Sequence, residues 1–290
     1  VVDRLANGSL GGVGGYAMIY HAETGQVRAL DYVGAAPIAA RPELFVDGVR
    51  LWDKGHPTRD SFRGPIVPGN LAALAALLET YGTMSWSEVL APAIEYAEEG
   101  VAIIPRIHRA YAGVPTKRYP YGASIWYEKD GQPVPVGGVL KQPDLATTLR
   151  LIASKGPGIF YGGELAEQIV SYFQDNGGIF SVEDFSKYRA LWRKPIVTNY
   201  RGFEVYGHPP GSGGMTVLQT LNILEYFDVA ALGHNTPEFV HLVSEALKLA
   251  FIDDDRYNTG KDYAEIPLDR LLSKKYARTQ ADRIDLNKAQ

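Results

Sequence analysis

The feature that most constrains the fold is a glycine-rich run that opens into a β-hairpin. Gly11-Gly12-Val13-Gly14-Gly15 leads into Tyr16-Ala17-Met18-Ile19-Tyr20-His21, and the turn Glu23-Thr24-Gly25 leads into Gln26 to Tyr32. Two β-prone runs around a glycine turn predict an antiparallel pair. Apolar residues on both faces predict a sheet covered on both sides.

Helical signals follow in number. Asn70 is placed to cap Leu71 to Thr80, with Gly82 as the stop. Ser85-Trp86-Ser87-Glu88 fits a capping box, Pro92 is expected to break or restart that helix, and Gly100 ends it. Residues 142 to 154 and Gly162 to Asp175 read as helices, and Ser181 to Asp184 as a helix start. Lys129-Asp130-Gly131-Gln132 is a hairpin-turn signal. Tyr200 to Tyr206 reads as one strand, followed by the loop 208–214 and a helix from Met215 to Glu225. Thr236-Pro237 starts the longest helix, whose expected inner stripe is Phe239, Val243, Ala246, Leu247 and Ala250. Strands and helices are mixed without repeats or a visible boundary, so the class is α/β or α+β, read as one domain over 1–290.

Composition narrows the partners. A formal charge of -4 with Lys and Arg spread along the chain gives no basic patch, so no nucleic-acid partner is expected. With no cysteine, the chain holds no disulfide, thiolate nucleophile or Cys-ligated zinc. No apolar run reaches the ~18 residues of a membrane helix, and no membrane partner is expected.

Site motifs fail one by one. Gly12-x-Gly14-x-x-Ala17 matches the loose dinucleotide fingerprint, but a strand-like run follows where a helix N-terminus is required. Its alternatives are a loop needing positive φ or close packing, and a loop bordering an active site. Ser212, in Pro-Gly-Ser-Gly-Gly, is one residue off a nucleophile elbow. His241 and Glu245 give only two metal ligands and read as a solvated or structurally paired stripe, so neither metal nor cofactor is expected. Asp253-Asp254-Asp255 lacks calcium-loop spacing and reads as a charged helix end, where acidic groups oppose the dipole and need a stabilising partner. Asn7-Gly8-Ser9 is a glycosylation sequon only in a secreted eukaryotic setting. No self-sufficient catalytic set emerges. Either the chain is a non-catalytic scaffold or binding subunit, or the reacting group lies in another chain.

Taken in order, the motifs resemble the large subunit of the γ-glutamyltranspeptidase family. Ser9-Leu10-Gly11-Gly12-Val13-Gly14-Gly15-Tyr16 resembles its Gly-rich loop, and Ala29-Leu30-Asp31-Tyr32 with Ala36-Pro37 its strand end. Val67-Pro68-Gly69, Trp86, Leu90 to Ile94, Phe160-Tyr161-x-Gly163, Gly177-Gly178 with Glu183-Asp184, and Tyr200-Arg201-Gly202 continue the similarity. Pro209-Pro210-Gly211-Ser212-Gly213-Gly214 and His241-x-x-x-Glu245-Ala246-x-Lys248-x-Ala250-Phe251 close it.

The resemblance implies the four-layer αββα sandwich of N-terminal nucleophile hydrolases. It implies a self-cleaving precursor and a small-subunit partner whose first residue, a Thr, attacks a small-molecule amide. The resemblance also implies that the family's first helical stretch is missing before the Gly-rich loop. A periplasmic or secreted setting is implied, with a cytoplasmic one open. Substrate-binding positions fall on Tyr32, Val33 and Gly34. At Val33-Gly34 the family has Arg-Glu, and that Arg grips the α-carboxylate of the γ-glutamyl group. A charge-assisted bond of that kind is worth roughly 1.5–3 kcal/mol, ~10–150-fold in binding. Altered acyl specificity, as in cephalosporin acylases, is therefore expected, with a genuine γ-glutamyl enzyme as the alternative. Arg28 and Arg41 are the candidate substitutes for the clamp.

Overall fold

The computed structural model describes residues 12, 14–45, 62–112, 124–128, 130–257 and 265–289. The sequon at Asn7, the start of the Gly-rich loop, Lys129 and the segment after Tyr257 lie outside the described residues. The chain forms two compact units interleaved in sequence: 1–15 with 32–190, and 16–31 with 191–290. The chain passes between units within continuous sequence, so no linker marks the division.

The predicted hairpin is present, and belongs to the second unit. Strands β1 (Tyr16–His21) and β2 (Gln26–Asp31) pair antiparallel, with Gly25 at φ 66 in the turn. The sheet is only partly covered. Neighbouring Ala29 and Leu30 on β2 point to opposite faces and are both fully buried, whereas Tyr20 on the outer strand β1 is 67% exposed.

In the first unit, α1 (Asn70–Tyr81) begins one residue earlier than expected: Gly69 is its N-cap, without a side-chain bond. Asn70 is therefore a helical residue rather than the cap. The Ser85 box is present at the start of α2 (Trp86–Glu99), with Glu88 Oε2 accepting the Ser85 N–H at 2.7 Å. Pro92 does not break α2, contrary to expectation. Proline removes one backbone bond, and the helix is held by packing of Leu90 and Ala97 into the unit's core. Gly100, at φ 91, ends it.

Strands β3 (Val101–Ala102) and β4 (Val139–Leu140) pair beside α3 (Pro105–Tyr111). The expected hairpin turn is present as a Tyr127–Pro133 bridge with Gly131 at φ 79. Helices α4 (Pro143–Lys155), α5 (Gly158–Gly162), α6 (Glu164–Asp175) and α7 (Val182–Lys187) complete the unit. Phe173, Phe180, Phe185 and Phe160 form a chain of ring contacts, with centroids 5.0, 5.3 and 6.1 Å apart.

In the second unit, β5 (Leu191–Arg193) joins β2, giving the order β1-β2-β5. The run read as one strand from Tyr200 is instead a hairpin: β6 (Ile196–Tyr200) and β7 (Phe203–Gly207) turn at Arg201 (φ 51) and Gly202 (φ 90). Positive φ at both turn residues matches the twist of the strands. Asn199 Oδ1 accepts the Gly202 N–H at 3.0 Å, and Glu225 Oε1 accepts that of Arg201 at 2.7 Å.

Helix α8 (Gly214–Leu224) packs on α9 (Pro237–Tyr257), which Thr236 caps through the Phe239 N–H at 3.2 Å. The inner face of α9 includes Ala246 and Ala250 of the expected stripe and extends to polar residues beside it. Leu242, Glu245, Ala246, Leu249, Ala250 and Asp253 are buried, while Phe239 and Val243 are half-buried. Short α10 (Leu268–Leu271) and α11 (Lys274–Ala281) follow. Among the described residues no helix is long and apolar enough to cross a membrane.

Candidate active site

Tyr32, Val33 and Gly34 emerge from the end of β2 as irregular backbone held from several sides. The Tyr32 N–H donates to Gly15 O at 3.0 Å. The Tyr32 carbonyl lies where no side chain fits beside it: a Cβ on Gly14 or on Gly69 would fall 1.8 Å from its oxygen. The glycine-rich loop thus follows the close-packing alternative, with Gly14 at φ 95 and a strand, not a helix, after it. Beyond Gly34, the Val67 N–H donates to Ala35 O at 2.8 Å, tying the segment to the turn before α1.

Val33 is 40% exposed. Its carbonyl accepts from the Tyr188 hydroxyl at 3.0 Å. Gly34 is half-buried. Tyr161 lies in the same framework: its hydroxyl donates to Pro68 O at 2.7 Å and accepts the Ala72 N–H at 3.0 Å. Burial pushes that phenol up to about 12, so it stays protonated and able to donate. Of the proposed clamp substitutes, Arg28 lies over the Trp192 ring at 3.9 Å and Arg41 is exposed.

The second unit has its own polar centre, built on the loop 208–214. Ser212 donates to Pro209 O at 3.1 Å and to His208 O at 3.3 Å, which holds the turn ahead of α8 rather than exposing a nucleophile. His208 is buried, with its ring 4.4 Å from that of Tyr16, whose hydroxyl donates to Gly211 O. Burial lowers the His208 pKa; the carbonyls of Pro209 and Leu30 and the charge of Asp31 oppose that, and Arg193 adds to it.

His241 and Glu245 behave as the structural reading expects. His241 Nε2 lies 2.8 Å from Asp285 O, and buried Glu245 pairs with Lys248 at 2.5 Å. The acidic end of α9 finds its stabilising partners: Asp253 accepts from Tyr276 at 2.8 Å and Gln219 at 2.9 Å, and Asp254 from Thr216 at 2.9 Å. Among the described residues no group of three metal-ligating side chains converges.

Among the described residues, Ser212 is held by backbone carbonyls of its own turn. The family profile described as Gamma-glutamyltranspeptidase matches residues 1–290. The chain belongs to the gamma-glutamyltranspeptidase family.

Relatives within the family divide between two activities. The "Glutathione hydrolase proenzyme" of Escherichia coli (strain K12) is 36% identical over 290 residues, covering 97% of this chain and 49% of that protein. The "Acylase ACY 1 proenzyme" of Pseudomonas sp. (strain V22) is 35% identical over 285 residues, covering 96% of this chain and 50% of that protein. The Helicobacter pylori gamma-glutamyltranspeptidase crystal structure superposes with a TM-score of 0.92 at 33% identity, covering 100% of this chain and 83% of that one. The chain spans about half the length of these curated gamma-glutamyltranspeptidase-family relatives. The names of those relatives describe a hydrolase, an acylase and a transpeptidase, the first two as proenzymes.

Proposed function

We propose that the chain is the large subunit of an autoprocessed amide hydrolase or acyltransferase whose acyl pocket differs from that of a γ-glutamyl enzyme. In this reading the 290 residues act as a single domain completed by a small subunit in a four-layer αββα sandwich. The first residue of that partner, a Thr, attacks the amide carbonyl, with its own α-amino group as base. Backbone donors stabilise the oxyanion. The acyl-enzyme passes its acyl group to water or to an amine.

The observation that carries the specificity is Val33. Where the family resemblance puts a carboxylate-gripping guanidinium, this chain presents an apolar side chain, 40% exposed, on a backbone fixed by Tyr188 and by the packing around Tyr32. Valine has no donor, so a substrate carboxylate there would lose its water without gaining a partner. An acyl group without an amino-acid head fits better.

The test is to express the gene through its full continuation, sequence the N-terminus of the released small chain, and compare kcat/KM on glutaryl, γ-glutamyl and oxalyl amides sharing one leaving group. The expected result is an N-terminal Thr and a preference for glutaryl or oxalyl over γ-glutamyl. A γ-glutamyl preference would restore the alternative of a genuine γ-glutamyltransferase with another clamp. A continuation without Thr, Ser or Cys at the junction would leave a scaffold or binding subunit.

A further inference from the structure

We infer that Tyr188 is a positioning residue for the acyl pocket: its hydroxyl fixes the Val33 carbonyl and thereby the place of the Val33 side chain. This inference rests on the reading of Val33 as pocket wall given above.

Backbone contacts anchor the residues that flank Val33-Gly34. Tyr32 is held through Gly15 and by the close approach of Gly14 and Gly69, and Ala35 by Val67. Between them the Val33 carbonyl accepts from a side chain, the Tyr188 hydroxyl at 3.0 Å, reaching across 155 residues of sequence. The N, Cα and C atoms of Val33 set its Cα–Cβ direction, so holding that peptide helps hold the direction in which the exposed side chain leaves the backbone.

Tyr188 is itself well fixed. It is 7% exposed, and its ring stacks on Tyr161 with centroids 5.7 Å apart and planes at 18°. Tyr161 is anchored in turn at Pro68 and Ala72. Tyr188 also follows directly on α7, with its N–H on Phe185 O at 3.1 Å.

The same short helix grips the segment a second time. Asp184, whose Oδ2 accepts the Ser181 N–H at 2.7 Å in the capping box, accepts the Ile38 N–H through Oδ1 at 2.6 Å. Helix α7 therefore holds the chain at Val33 and at Ile38, on both sides of Gly34. The capping box orients Asp184, and the end of the helix orients Tyr188. The arrangement converts a structural helix start into a mould for the pocket wall. Phenylalanine at 188 would keep the ring packing and remove only the hydroxyl.

The experiment uses the processed full-length enzyme. The ratio of kcat/KM for a glutaryl amide to that for an acetyl amide with the same leaving group is compared among wild type, Tyr188→Phe, Val33→Ala and Tyr172→Phe. Tyr172 is 53% exposed and lies outside the pocket, so its variant should keep the wild-type ratio. The expected change in ratio for Tyr188→Phe is on the order of tenfold, what one neutral hydrogen bond can supply. A purely structural role would lower both rates by one factor and leave the ratio alone.

A changed ratio in Val33→Ala with an unchanged one in Tyr188→Phe overturns the positioning role and leaves the pocket assignment standing. An unchanged ratio in both overturns the pocket assignment itself. If Tyr188→Phe fails to process, Asp184→Ala removes both the acceptor of the Ile38 N–H and the capping box that orients α7, and an unchanged ratio in that variant overturns the inference.

Discussion

Gly14 and Tyr32 are packed so closely that a methyl group on Gly14 would lie 1.8 Å from the Tyr32 carbonyl oxygen. Gly14 also holds φ at 95, where an L side chain is strained. Gly14→Ala should therefore cost about 3 kcal/mol or more, because strain and a backbone clash add. Gly25→Ala, at φ 66 with open space around the added carbon, carries the conformational penalty alone, about 1 kcal/mol. Urea midpoints of the two variants check the difference, and equal costs would show that the backbone relaxes around position 14.

Val33→Arg should raise activity on a γ-glutamyl anilide by roughly tenfold, since a guanidinium there supplies the missing charge-assisted donor. The reading is kinetic: KM for the γ-glutamyl donor should fall, while KM for an acetyl amide stays put. A folded, processed variant with no gain would mean that the acyl head group does not lie beside this position.

What could be read from the sequence was local. The boxes at Ser85 with Glu88 and at Ser181 with Asp184, and the Thr236 cap, are short-range patterns whose partners lie within four residues, and all are present. The Arg201-Gly202 turn escaped because Arg seldom takes positive φ; the signals that permit it, Asn199 and Glu225, flank the turn or lie on another element. Pro92 is a signal to break or restart a helix, but α2 runs through it, its lost backbone bond offset by a face packed into the core. The inner face of α9 is only partly legible: Ala246 and Ala250 are buried as expected, but Glu245 and Asp253 look like surface residues until Lys248, Gln219 and Tyr276 pair with them. At the candidate site, Tyr32, Val33 and Gly34 are proposed through resemblance, while Tyr188 carries no local mark. Its role depends on a contact 155 residues away.

The Asp253 carboxylate is 6% exposed and accepts from Tyr276 and Gln219. Tyr276→Phe removes one of those donors and leaves a buried charge less satisfied, which should cost about 1–3 kcal/mol. Asp253→Asn in the same background should recover part of that loss, because the neutral amide needs less solvation. Chemical denaturation of the single and double variants tests the coupling, and strictly additive losses would show that Tyr276 does not act through Asp253.

His208 provides a pH dependence whose sign follows from its surroundings. Burial lowers its pKa in the folded chain, against an ordinary value of 6.5. The folded state therefore binds fewer protons than the unfolded one in the window below that value. The stabilising contribution is complete above 6.5 and is lost as the pH falls through the depressed folded value. Glu225, held low by Lys274 and the Arg201 backbone, contributes in the same direction but in a more acidic window, below its ordinary 4.5. Urea titrations at about pH 7.5 and 5.5 should thus show a drop that belongs to His208. His208→Gln, which keeps a side-chain donor for the Pro209 carbonyl and cannot titrate, should flatten that drop while leaving the acid transition at lower pH in place. A slope unchanged in His208→Gln would assign the loss to another group. A flattened slope together with unaltered activity would show that the loop 208–214 carries a stability switch independent of the pocket wall.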